Sequence, residues 1–186
     1  MLSGVNLAPT NHQPMRETMR LLTALATAGL IAAGSAVAAT PRVVGTFQDW
    51  NVYTVEDSNG RLCYAASVPK KEDGNWTRRG ARALIVAKLP GAPPNEQVSV
   101  QPGYTFKKDT NAQVTVDGQR YAFFTRGEHG WANSPAEDAT IIEAMKRGTE
   151  LTVRGTSSRD TWSLDTYSLL GFTAAYNAMR NACASG

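Results

Sequence analysis

The sequence predicts a mainly β domain of sandwich type carrying two peripheral helices. Three observations predict it: short alternating segments divided by turn clusters, an Asp-Gly pair between two such segments, and two late segments whose apolar residues recur with helical spacing. Composition agrees. The 186 residues are 42% hydrophobic and 19% charged, enough to bury a core and unlike a disordered chain. A formal net charge of +3 is too mild an excess to point to nucleic acid. Two cysteines are too few for a structural zinc site or a disulfide-dense miniprotein.

The elements follow in order. Residues 48–55 alternate, with Trp50, Val52 and Thr54 on one side. Asp57-Ser58-Asn59-Gly60 is a turn cluster, and 61–67 is a second strand, so 48–67 reads as a hairpin. Residues 69–80 are polar and read as a loop. Ala83-Leu84-Ile85-Val86-Ala87 is a short continuous apolar run, the pattern of a strand buried on both faces. Strands are expected at 96–100 and 104–107, on either side of Pro102-Gly103. Asp117-Gly118 between alternating residues predicts a type I′ hairpin ending near Thr125.

Ser134-Pro135-Ala136-Glu137 announces a helix over about 134–147: a capping serine, proline at the first helical position and a glutamate completing a capping box. Gly148 stops it. Residues 150–154 and 161–166 form another strand pair. Leu169, Phe172, Ala175, Tyr176, Met179, Ala182 and Cys183 share one face of a last helix at about 168–183.

The first 39 residues read as an extension and an address. Residues 1–14 are polar; Met1, Met15 and Met19 are each candidate starts. Arg16 and Arg20 precede a charge-free run from Leu21 to Ala33, and Ala36-Val37-Ala38 matches a small-x-small cleavage site. This is the layout of a secretory signal peptide cleaved near Ala38 or Ala39. The apolar run is too short to span a bilayer well. The mature chain, 40–186, is about 147 residues and reads as one domain that buries roughly two-thirds of its unfolded surface. It has no second long apolar segment.

Both cysteines, Cys63 and Cys183, lie in the exported part, where disulfides persist. An even pair without CxxC spacing reads as one structural bridge; two unrelated thiols or an intermolecular bridge are the alternatives.

Searches for catalytic patterns find no G-x-S-x-G, Walker A loop, G-x-G-x-x-G or H-E-x-x-H. His129, the single histidine after the signal segment, sits between glycines and reads as an exposed loop residue. No metal site and no cofactor are expected. Asp160 and Asp165 read as a turn residue and a residue that caps or orients the last helix, not as a glycosidase pair. The candidate interaction surface is Trp76, Arg78, Arg79 and Arg82, with Lys70 and Lys71 nearby, because aromatic residues and arginine anchor interfaces. The alternative is a solvated basic loop whose tryptophan covers the sheet edge. Trp131 reads as a core tryptophan, with a sugar-stacking platform as the other reading.

Phe47-x-Asp49-Trp50, Cys63-Tyr64-Ala65-Ala66-Ser67, Arg78-Arg79-Gly80, Gly103-Tyr104-x-Phe106, Ala144-Met145-Lys146-x-Gly148, Asp165-Thr166-Tyr167-Ser168-Leu169-x-Gly171-Phe172 and Cys183 occur in this order. Together they resemble the invasion-associated locus B family, over about 42–183. The resemblance implies an exported protein of Gram-negative bacteria with an immunoglobulin-like β-sandwich and a Cys63–Cys183 bridge. It brings no catalytic motif. The expected function is therefore a non-enzymatic periplasmic or envelope protein that binds another envelope protein or, in a pathogen, a host surface. An envelope-polymer hydrolase and a small-ligand or glycan carrier are the competing readings. His129 in a deep polar cleft would favour the first of these; exposed Trp76 and arginines on a shallow surface would favour binding.

Overall fold

The computed structural model describes residues 40–184 apart from 59, 92, 94 and 95; the proposed signal segment and its cleavage site lie outside the described residues. The strands are β1 (Arg42–Phe47), β2 (Trp50–Asp57), β3 (Gly60–Ser67), β4 (Lys71–Gly74), β5 (Ala83–Lys88), β6 (Glu96–Gln101), β7 (Asn111–Val116), β8 (Gln119–Arg126), β9 (His129–Trp131), β10 (Glu150–Thr156) and β11 (Trp162–Ser168). The helices are α1 (Pro135–Arg147) and α2 (Phe172–Ala184). Mainly β with two helices is the fold class the sequence predicts. The strands form one continuous antiparallel sheet in the order β1-β2-β3-β5-β6-β9-β8-β7-β10-β11-β4. Both halves of it feed one core: Trp50, Val52 and Leu84 share a buried cluster with Val114, Leu151 and Tyr167. The Trp50 indole N–H donates to the Ser168 carbonyl at 3.1 Å, tying β2 to the end of β11.

Local chemistry explains the best-read elements. Asp117 and Gly118 have φ of 42° and 91°, the two positive values that a type I′ turn needs. The Asp117 carboxylate also accepts from the Thr149 and Glu150 amides at 2.9 and 3.1 Å, fastening the β7–β8 hairpin to β10. Ser134 caps α1 by accepting from the Glu137 amide at 3.2 Å. The Glu137 carboxylate reaches one residue further back than a capping box requires and accepts from the Asn133 amide at 2.8 Å. Gly148 ends the helix with extended backbone, φ −82° and ψ 168°, and not in the left-handed form. A β-carbon there would sit 2.9 Å from Leu169 Cδ1, so close packing explains the glycine. Phe172, Ala175, Tyr176 and Met179 are the buried face of α2, and Cys183 comes to disulfide distance of Cys63 on β3, with Cα atoms 5.9 Å apart.

Five expectations are corrected. Residues 71–74, read as loop, form the edge strand β4 on β11, with Gly74 opposite Ser163 and Lys71 opposite Thr166. β5 is fully buried on one face only: Leu84 and Val86 are inside while Ile85 and Ala87 are half-exposed. The segment 104–107 contributes a single bridge, Phe106 to Ser157, in place of a strand. His129 and Trp131 belong to β9 and are half-buried; Trp131 stacks between Phe124 and His129, at centroid distances of 5.4 and 5.6 Å, outside the core cluster.

Asp138, in the first turns of α1, is buried, and its carboxylate accepts from the Val98 amide at 2.8 Å. Burial pushes its carboxyl above the ordinary 3.8, the Val98 amide pulls it back, and Glu137 adds to the rise. Ionising Asp138 therefore costs stability. The cost is absent below the unfolded value and complete above the raised folded one. Asp138→Asn keeps an oxygen acceptor and removes the charge. It is expected to melt at or above wild type at pH 7, with that advantage vanishing below about pH 3.8. Thermal melts of both proteins across pH check this; a variant less stable only at pH 7 would contradict it.

Candidate functional site

The loop 75–80 is expected from its sequence to be an exposed basic surface. The structure divides it. Arg79 turns inward, with a side chain only 1% exposed, and forms a two-pronged ion pair with Asp165 on β11, itself 1% exposed. One prong, from Nη1 to Asp165 Oδ1, is 2.7 Å; Arg79 Nε also donates to the Pro102 carbonyl at 2.9 Å. Burial pushes the Asp165 carboxyl up, and the hydrogen bonds from Arg79 pull against it. Burial likewise opposes the Arg79 charge, but Asp165 outweighs it and the guanidinium pKa is raised. Glu72, on β4, lies 3.8 Å from Arg79 and is bonded to Arg82. Arg79 is thus an internal strut, a correction to its reading as a contact residue; Arg82, 31% exposed, is tied to Glu72 and to the Gly80 carbonyl. Asp165 holds Arg79 and does not cap α2. Lys70 is occupied by Asp49.

Trp76 and Arg78 face a cleft of about 500 Å³. It is walled by residues 76–80, by 103–105, by Glu128 and by the turn 157–161. Neither Arg82 nor His129 lines it. Backbone hydrogen bonds lock these loops to one another. The Gly80 amide donates to the Gly103 carbonyl at 2.7 Å, the Ser158 amide to the Thr105 carbonyl at 2.8 Å, and the Phe106 amide to the Gly127 carbonyl at 2.8 Å. Within the 157–161 turn, Ser157 Oγ lies 2.7 Å from Thr161 Oγ1, and Asp160 takes the turn's positive φ of 61°. Asp160 pairs with Lys107, so the two aspartates of the region have separate structural partners.

Two aromatic residues sit against Arg79. The Arg79 guanidinium lies 5.0 Å from the Trp76 ring centre and 5.5 Å from that of Tyr104. The Tyr104 hydroxyl is 2.8 Å from Ser163 Oγ, and burial pushes its pKa up. Arg78 and Arg159 make no ion pair among the described residues. Of the residues the sequence singles out, Trp76, Arg78 and Arg79 line the cleft. Arg159, Tyr104 and Glu128 are brought to the same cleft only by the fold. No group of three or more potential metal-ligating side chains occurs among the described residues.

Gly103 sets the closest approach in the site. Its φ is +77°, and a β-carbon there would stand 2.5 Å from the Gly80 carbonyl oxygen. Gly103→Ala is expected to cost roughly 1–3 kcal/mol by strain and to part the 80 and 103 loops. Chemical denaturation checks the loss; an unchanged midpoint would mean that the two loops are not locked.

The fold and site define a class: an antiparallel β-sheet protein with two packed helices and a polar, arginine-bearing cleft among its loops. The family model described as invasion associated locus B (IalB) protein matches residues 50–180, well over half the chain. The chain belongs to that family. A crystal structure of invasion associated protein B from Bartonella henselae shares the fold, with a TM-score of 0.54 at 15% identity, covering 76% of this chain and 97% of that one. No curated protein matches the chain.

Proposed function

We propose that this chain is an exported binding module of the bacterial envelope, non-catalytic, whose contact site is the cleft at Trp76 and Arg78. One observation carries the reading. Trp76 and Arg78 are offered to a cleft by a loop whose supporting residues, Arg79 and Asp165, are buried and paired. A rigid scaffold presenting an aromatic residue and an unpaired arginine is the arrangement of an interface anchor. That His129 lies outside the lining favours binding over hydrolysis. The signal-peptide pattern at 15–38 supports export to the periplasm or beyond. The partner is another envelope component or, in a pathogen, a molecule of the host surface.

Crosslinked affinity capture of the tagged mature protein from intact envelopes of its own host tests the reading. One partner near equal stoichiometry is expected. Trp76→Ala and Arg78→Ala should each reduce its recovery at least fivefold; for Arg78→Ala the melting temperature should stay within about 2 °C, because that side chain is exposed, whereas half-buried Trp76 also packs against Arg79. Capture indifferent to both substitutions would move the contact elsewhere on the molecule.

A further inference from the structure

Resting on the binding reading, we infer that the cleft takes an acidic saccharide: a short sugar chain carrying a carboxylate, held between Arg78 and Arg159. The two arginines come from opposite parts of the sequence, one from the loop after β4 and one from the turn between β10 and β11. Both line the cleft, and neither has an ion-pair partner among the described residues. Arg79, the third arginine of the lining, is neutralised by Asp165. Against Glu128, which is exposed, the lining keeps a net positive charge. Two guanidinium groups on one cavity recognise a carboxylate by charge-assisted hydrogen bonds.

The remainder of the lining argues for sugar in preference to peptide. Six hydroxyl-bearing side chains line the cleft; those of Tyr104, Ser157 and Thr161 are engaged with protein partners, leaving Thr77, Thr105 and Ser158 to a ligand. Hydroxyls that both donate and accept match the hydroxyls of a sugar ring. Glu128 is an acceptor for further ring hydroxyls. The half-buried Trp76 and Tyr104 add aromatic surface for the apolar face of a ring. A peptide anchor would need an apolar recess, and no aliphatic side chain lines this cavity. Its volume of about 500 Å³ suits a small ligand more than a flat protein contact.

Titration of the mature protein, followed by NMR shifts and calorimetry, tests this with a set of probes: oligogalacturonate, a hyaluronan tetrasaccharide and sialyllactose. Each is paired with its carboxyl-reduced neutral form, and a polyglutamate peptide serves as the acidic non-sugar. At least one acidic saccharide should bind and shift residues 76–80 and 157–161, with affinity falling as salt rises. Its neutral form should bind at least tenfold more weakly. Arg78→Gln and Arg159→Gln should each lower affinity about tenfold at an unchanged melting temperature. Equal binding of the neutral form, or tighter binding of polyglutamate, would overturn the inference. So would binding unaffected by both substitutions, or no binding by any acidic saccharide. In each of those cases the binding-module reading stands or falls separately, on whether envelope capture depends on Trp76 and Arg78.

Discussion

Arg79→Ala is expected to lower the unfolding free energy by about 3–5 kcal/mol, because it leaves the Asp165 carboxylate buried without its counter-charge. At this chain length that is a fall of roughly 10–15 °C in melting temperature. Asp165→Ala should cost a similar amount by stranding the guanidinium. Replacing the pair together, Arg79→Met with Asp165→Leu, should cost much less than the sum of the two single losses, since an apolar pair removes both desolvation penalties. Thermal melts on wild type, the two alanine variants and the paired apolar variant compare these losses. Single variants as stable as wild type would mean the pair is solvated. The single variants should also lose partner capture below their melting temperatures, because Arg79 braces Trp76 and Tyr104 from behind.

The second large effect is at the cysteines. Replacing Cys63 and Cys183 by Ser is expected to cost about 2–5 kcal/mol, through the entropy regained by an unfolded chain freed of a 120-residue closure. The corresponding fall in melting temperature is roughly 5–15 °C. The affected element is α2, whose buried face packs on the sheet beside β1, β2 and β3. The bridge joins β3 to the end of α2, whereas the cleft is built from the 75–80, 103–106 and 157–161 loops. Capture well below the melting temperature should therefore survive the double substitution. Non-reducing peptide mapping should show Cys63 joined to Cys183; two free thiols in the mature protein would remove the basis for the expected loss.

The residues differ in how much they declare locally. The β7–β8 hairpin is legible because Asp117-Gly118 can hardly be anything but a tight turn, and α1 because Ser134-Pro135 starts a helix by side-chain chemistry alone. The edge strand β4 is not legible: Lys71-Glu72-Asp73-Gly74 has no strand propensity and is extended only because β11 offers it a ladder. β9 is three residues, paired on one side with β8 across a two-residue turn and on the other with β6. The site shows the same limit. Trp76 and Arg78 stand out by residue type. Arg79 has the same type and the opposite role, and what decides it is Asp165, 86 residues later. Nothing near Arg159 marks it as lining the same cleft as Arg78; the turn between β10 and β11 carries it there.

The most direct measurement is site-specific photo-crosslinking in living envelopes. A benzophenone amino acid is placed at Thr77 in the cleft lining in one protein, and at Asn177, on the exposed side of α2, in another. A discrete adduct from position 77 and none from position 177 is the expected result. It should weaken when Arg78 is also replaced by Ala. An adduct from position 177 with none from position 77 would contradict the assignment of the cleft as the binding site.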